Sequence, residues 1–119
     1  MATAEEKNDK TKLACIKLIM PVMDALDVLN GRWKLPIIVS LSFGTKRFNQ
    51  ISKEVNGITD KMLSKELKDL EINQLITRNV YDTFPPTVEY AITKHGESLH
   101  KVITELGLWG LSHRKKILR

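Results

Sequence analysis

The sequence predicts a mainly α-helical fold with one small β-hairpin, and three observations predict it. From Thr59 onward, Leu63, Leu67 and Leu70 recur at i, i+4 and i+7, which marks a helix with one buried face. Just upstream, Arg47 to Ile58 carries Phe48, Ile51 and Val55 at i, i+3 and i+7 and ends in Asn56-Gly57, a helix breaker. Downstream, Leu75–Asp82 and Thr87–Thr93 are rich in β-branched and aromatic residues and flank Phe84-Pro85-Pro86, which cannot continue a sheet ladder.

Taken in order, residues 1–11 are polar and are expected to be loosely ordered. Between Lys12 and Leu29, apolar positions including Leu13, Ile16, Ile19, Met23 and Leu26 predict two helical pieces separated at Pro21. Proline fits the first position of the second piece, where its missing N–H leaves nothing unpaired. Asn30-Gly31 ends that piece. Trp33–Phe43 (WKLPIIVSLSF) predicts a buried helix with Pro36 in its first turn. A buried strand is the alternative, because Ile37, Ile38 and Val39 favour β-structure and a continuous apolar run does not distinguish the two. Gly44-Thr45-Lys46 is the turn into the next helix.

The segment at 47–58 and the one that starts at Thr59 then form a helix, a short glycine-containing turn and a second helix, which is helix-turn-helix order. Thr59 is the expected N-cap of the second helix, with Asp60 on the positive end of its dipole. In the hairpin, Val88, Tyr90 and Ile92 alternate with Thr87, Glu89 and Ala91, so one face can lie on the core. Asp82 to Pro86 forms the exposed tip. A last helix runs from Lys94, capped by Thr93, to about Lys116, with Leu99, Val102, Ile103, Leu106 and Trp109 on one face. Leu108 and Leu111 fall outside that face, and a helix apolar on more than one side needs more than one partner. The whole, residues 1–119, is expected to be a single winged helix-turn-helix domain. Segments 12–20 and 94–118 would be its dimerisation helices, with Ile16, Leu108, Trp109 and Leu111 near the seam.

Lys61, Lys65 and Lys68 recur at the spacing of the leucines but on the opposite side of the same helix. Such a row is most often only solvated, and Glu66 and Asp69 interrupt its charge. The order of the elements gives the row its meaning, since the second helix of this motif is the one that enters the major groove. Lys61, Ser64 and Lys65, in its first two turns, are the candidate base-edge residues. Lys68 is a candidate phosphate contact, as are Thr59, Lys46, Arg47 and Thr87. The hairpin tip has no Lys or Arg, so a cation inserted into the minor groove is not expected. Arg78 and Glu89 are assigned to stabilising the hairpin and its seat.

Several blocks also match a known family in order and spacing. GRWKLPII (from Gly31), RFNQI, GITDKMLSKELKDLE, LITR and PPTVEYAITKHGESL resemble the HxlR-type bacterial transcriptional regulators over roughly Pro21–Gly110. The resemblance implies a homodimeric, winged-helix, DNA-binding protein of the bacterial cytoplasm. One departure matters. Members of that family often carry Cys-Pro before the first core helix and sense thiol-reactive stress there; this chain has Met20-Pro21, and its single cysteine, Cys15, lies five residues upstream. Cys15 is a candidate redox residue only in that reduced sense; among Leu13, Ile16 and Leu18 its simplest role is that of a small apolar side chain.

Composition sets the outer limits. A chain of 119 residues with 42% hydrophobic content can build a modest core. No apolar run reaches the roughly 20 residues that span a bilayer, and MATAEEKNDKTK has no signal-peptide pattern, so a cytoplasmic protein is expected. One cysteine excludes an internal disulfide framework, and His95, His100 and His113 do not share the spacing of a metal pair, so neither cofactor nor metal is expected. The formal charge is +5, yet residues 44–82 hold seven basic and six acidic groups. Whole-chain charge therefore decides little, and the sorting of charge between faces decides more. There is no nucleophile–base arrangement, glycine-rich phosphate loop or paired-carboxylate site. The expectation is a homodimer on a pseudo-palindromic double-stranded DNA operator, responding to a small-molecule or stress signal that the residues do not name. The alternative is a winged helix used for protein–protein contact.

Overall fold

The computed structural model describes residues 3–118 and resolves them into two units, Met1–Asn30 and Gly31–Arg119. The first consists of one helix, α1 (Ala4–Val28). Its start is fixed by a reciprocal cap: the Glu6 N–H donates to Thr3 Oγ1 at 3.2 Å, and the Thr3 N–H donates to Glu6 Oε2 at 3.0 Å. The polar stretch expected to be loosely ordered is thus helical from Ala4, Met1 and Ala2 lying outside the described residues. The break expected at Pro21 does not occur either, since α1 runs through it. Proline deprives the carbonyl four residues earlier of one bond. Its neighbours, among them Leu18, Met20, Met23 and Ala25, favour the helix and carry it across. None of α1's residues is buried, and Leu13, Ile16, Ile19, Met20, Met23 and Leu26 all remain about half exposed or more.

The second unit holds the core. Trp33–Phe43 folds as helix α2 (Lys34–Ser42), which settles the helix-or-strand alternative. Gly44 to Arg47 leads into α3 (Phe48–Glu54), and Asn56 and Gly57 make the turn into α4 (Asp60–Ile72). Gly57 has φ +91°, a conformation that L side chains rarely adopt. Ile37, Ile38 and Leu41 of α2 are buried together with Ile51, Val55 and Ile58 from α3 and the turn, and with Leu63, Leu67 and Leu70 of α4. The three leucines whose spacing announced α4 are therefore its buried face.

The hairpin follows as β1 (Ile76–Tyr81) and β2 (Thr87–Ile92), antiparallel, with Ile76 opposite Ile92 and Tyr81 opposite Thr87. Lys46 adds one bridge to its free side: the Lys46 N–H donates to the Tyr90 carbonyl at 2.9 Å, and the Tyr90 N–H to the Lys46 carbonyl at 2.8 Å. The hairpin is thereby tied to the approach to α3.

The last segment differs from expectation. A short α5 (Lys94–Glu97) and a longer α6 (His100–Ile117) replace one continuous helix. Thr93 caps α5 as predicted, accepting from the Gly96 N–H at 3.0 Å, and its own hydroxyl donates to the Gln74 carbonyl at 2.7 Å. A Cβ on Gly96 would lie 2.2 Å from the Leu75 carbonyl oxygen and 2.6 Å from Ile92 Cγ1. Only glycine lets α5 sit this close to the hairpin base. At the junction the Ser98 hydroxyl donates to the His95 carbonyl, which closes the short turn before α6 begins. No residue of α6 is buried, and Val102, Leu106, Leu108, Trp109 and Leu111 are each more than half exposed. Among the described residues no helix is long and apolar enough to cross a membrane.

Candidate nucleic-acid interface

The exposed side of α4 depends on what happens to its acids. Glu66 is buried, and its Oε2 lies 2.8 Å from the Lys34 ammonium, itself only 3% exposed. Asp69 reaches the same ammonium at 3.5 Å. One lysine of α2 thus pairs with two carboxylates of α4, the buried Glu66 and the partly exposed Asp69. Buried charges of this kind persist only when paired. Outward there remain Lys61, Ser64, Lys65 and Lys68, flanked by the exposed Asp60 and Glu71 at the two ends of the helix, and none of the three lysines makes an ion pair among the described residues. The sequence showed the lysine row but not why its neighbouring acids fail to cancel it. Lys34 supplies the reason, and its place inside an apolar run was the signal: a lysine there is buried only against an acid.

The start of α4 is built as predicted. The Thr59 hydroxyl accepts from the Met62 N–H at 3.2 Å, and Asp60 supplies the acidic first turn. The Thr59 side chain is exposed, so capping leaves its oxygen at the end of the helix that carries the lysines.

Two of the candidate phosphate contacts are placed differently. The Lys46 ammonium is turned onto Glu54 and approaches Ser40 Oγ at 3.4 Å, and Ser40 in turn donates to Glu54 Oε2 at 2.6 Å. Its charge is neutralised inside the motif, where a free cation was expected. The Glu54 carboxyl is held below its ordinary value first by the hydrogen bond from Lys46 and then by that from Ser40. Thr87 is likewise committed. The Thr83 hydroxyl donates to the Pro85 carbonyl at 2.7 Å, so the 2.8 Å contact between Thr83 and Thr87 takes the Thr87 hydrogen. The Arg47 backbone N–H donates to Gln50 Oε1 at 2.8 Å at the start of α3, and its exposed guanidinium makes no ion pair among the described residues.

Between α4 and the hairpin lies a hollow of about 280 Å³ lined by Ser64, Leu67, Lys68, Glu71, Arg78 and Tyr90. Arg78 reaches it because it shares a strand face with the buried Ile76, one step beyond the point where the core ends. Sequence reasoning assigned Arg78 to the hairpin and its seat; the structure sets it beside the outer face of α4. The hairpin tip is apolar, with the Phe84 side chain fully exposed. Cys15 is free and exposed on α1. Ile16, Leu108, Trp109 and Leu111, the residues expected at a dimer seam, are all exposed, and the Trp109 ring stacks on His113 with centroids 4.9 Å apart.

Known proteins share this arrangement. The chain is 36% identical over 101 residues to the uncharacterized HTH-type transcriptional regulator YtcD of Bacillus subtilis (strain 168), which covers 85% of this chain and 80% of that protein. The solved structure of the redox regulator HypR in its reduced form superposes with a TM-score of 0.77 at 36% identity, covering 82% of this chain and 96% of HypR. A MarR-family regulator from Enterococcus faecalis V583 gives 0.72 at 33% identity, over 84% of this chain and 91% of that one. The model of the HxlR-like helix-turn-helix family matches residues 28–117. A mainly helical chain with a two-stranded wing, an outward row of cations on the second helix of its motif, and these relatives make this a DNA-binding transcription regulator that belongs to the HxlR-like helix-turn-helix family.

Proposed function

We propose that the chain works inside the cell as a homodimer on a pseudo-palindromic operator, with α4 of each copy in the major groove. One observation carries the reading of α4: Lys34 pairs with Glu66 and Asp69, so neither cancels the exposed Lys61, Lys65 and Lys68, and the acids left outward on α4 are Asp60 at its start and Glu71 at its end. In this reading Lys61, Ser64 and Lys65 meet base edges. Lys68, Arg47 and the exposed Thr59 hydroxyl meet phosphates. Lys46 is a positioning residue that holds the hairpin to the motif. Its main chain bonds Tyr90 while its side chain bonds Glu54.

The dimer is supported by the unsatisfied apolar surface. Ile16, Ile19, Met23 and Leu26 lie along one face of α1 at i, i+3, i+7 and i+10, and Val102, Leu106 and Trp109 do the same on α6, all exposed. A two-fold dimer places its reading helices about one DNA turn apart, roughly 34 Å, or a multiple of it.

Selecting bound sequences from a random DNA pool tests the whole reading. The expected product is an inverted repeat. Single changes at Ser64 or Lys65 should shift the preference at one position by about 1–3 kcal/mol. No enrichment, with weak binding that salt hardly alters, would favour a winged helix used for protein–protein contact. HypR is a redox regulator, but in this chain Cys15 stands apart from the position that Met20 fills, which supports the reading that simple thiol oxidation is not the main switch. A Cys15→Ser protein should keep both its DNA affinity and its response to inducer. Loss of peroxide- or electrophile-driven DNA release in that variant alone would refute this.

A further inference from the structure

We propose that Lys68 and Arg78 together form a seat for a single DNA phosphate, so that the wing grips DNA at its root and not at its tip. The inference rests on α4 being the major-groove helix. With α4 in that groove and the hairpin beside it, the phosphodiester strand that walls the groove must pass between the two. The hollow lined by Lys68 and Arg78 occupies that place.

Four observations converge on it. Both cations are exposed and neither makes an ion pair among the described residues, although Glu71 lines the same hollow. They come from different elements, so their convergence is set by the tertiary fold and not by a helical repeat. The position of Arg78 is fixed in register: it pairs with Tyr90, whose backbone is held on its other side by Lys46. The tip, in contrast, has nothing to offer an anion. Asp82–Pro86 contains one acid and no cation, the Phe84 ring is fully exposed, and the Thr83 and Thr87 hydroxyls are engaged with Pro85 and with each other. A guanidinium suits the root because its planar fork holds phosphate oxygens in two parallel hydrogen bonds, while Lys68 adds a point charge from the helix side.

Phosphate contacts are independent of base sequence, so a fluorescein-labelled duplex of random sequence serves as the probe, titrated by anisotropy over a range of sodium chloride concentrations. The slope of log affinity against log salt counts neutralised phosphates at about 0.9 each on duplex DNA. The Lys68→Gln/Arg78→Gln protein is expected to lose about 0.9 of slope, one phosphate's worth, with each single variant losing less and Arg78→Lys retaining the parent's slope. Glu71→Gln should tighten binding, since it removes the one acid in the hollow. Thr83→Ala and Phe84→Ala at the tip should leave the slope unchanged. A double-variant loss near 1.8 would mean two separate phosphates and overturn the shared seat. A parental slope in Arg78→Gln, with circular dichroism showing the parent's fold, would overturn it as well. Lys61→Ala/Lys65→Ala separates the two levels of the argument. If that variant binds like the parent, the reading of α4 fails; if it binds weakly while Lys68→Gln/Arg78→Gln binds normally, only the seat fails.

Discussion

The helices of the motif and the two terminal helices solve the same problem in opposite ways. In α2, α3 and α4 the apolar residues are spent on one another: Ile37, Ile38, Ile51, Leu63 and Leu70 have no measurable exposure. In α1 and α6 the apolar residues are as large but none is buried. The difference shows which part of the chain is self-sufficient. The motif carries its own core, so the reading face of α4 is set within one copy. The terminal helices leave their apolar surfaces uncovered, which is what the proposed dimer would use, since a second copy would supply matching surfaces by symmetry.

The sharpest test of the self-sufficient region is Lys34. Removing one partner of a buried ion pair strands the other, at about 3–5 kcal/mol. Lys34→Ala should therefore lower stability by that order, visible as an earlier urea midpoint, because Glu66 is left buried without its cation. Lys34→Met/Glu66→Leu should recover most of the loss, since a buried pair can be replaced by apolar packing at little cost. A Lys34→Ala protein as stable as the parent would show that Glu66 is not held by Lys34. DNA affinity should fall in the single variant beyond what unfolding explains, as Glu66 and Asp69 are freed to approach the lysine row.

Next in size is a contrast between leucines. Leu63→Ala, in the core, should cost about 2–5 kcal/mol whatever the protein concentration. Leu106→Ala, exposed on α6, should cost little at high dilution and progressively more as concentration rises, because its surface is covered only in the assembled form. Equal and concentration-independent losses would erase the distinction between the two regions. Leu111→Asp, or removal of residues 1–19, should go further and give monomers by light scattering that hold a single half-site weakly. A monomeric parent at micromolar concentration would defeat the dimer.

How much of this was legible beforehand follows from which interactions are local. Leu63, Leu67 and Leu70 declared α4 through their spacing, and Thr59 and Thr93 declared their caps, because both signals sit within a few residues. Pro21 misled: a proline is a local instruction, but it was outweighed by the residues around it, and α1 continues. The division of the last helix at Ser98 was missed because the apolar spacing runs on through it, and the close approach of Gly96 to Leu75, some twenty residues away, is a tertiary fact that no local pattern shows. The same holds for the interface. The lysine row was visible, whereas the pairing of Lys34 with Glu66, of Lys46 with Glu54 and the approach of Arg78 to Lys68 are tertiary facts. A helical repeat places residues on a face but does not say which charges that face retains.

The smallest expected effect concerns Glu54 and the seating of the hairpin. Its carboxylate receives Lys46 and Ser40, and these bonds hold its folded-state pKa below the ordinary value, against the opposing effect of desolvation. A depressed carboxyl pKa stabilises the fold while the group is ionised in the unfolded chain as well, above about pH 4.3. That contribution fades as pH falls through the lower folded-state value, where the native carboxylate finally takes up its proton. Glu54→Gln removes the charge but keeps an acceptor for Ser40, so the difference in melting temperature between parent and variant should be constant above pH 6 and shrink towards pH 3. Other carboxylates titrate in the same range, but they do so in both proteins, and the difference isolates Glu54. A gap that does not change with pH would show that Lys46 is not held by this charge. In the variant Lys46 is released to solvent, and if its cation then finds a phosphate, the salt dependence of DNA binding should steepen instead of flattening. The two readouts together separate a lysine that positions the hairpin from one that touches DNA.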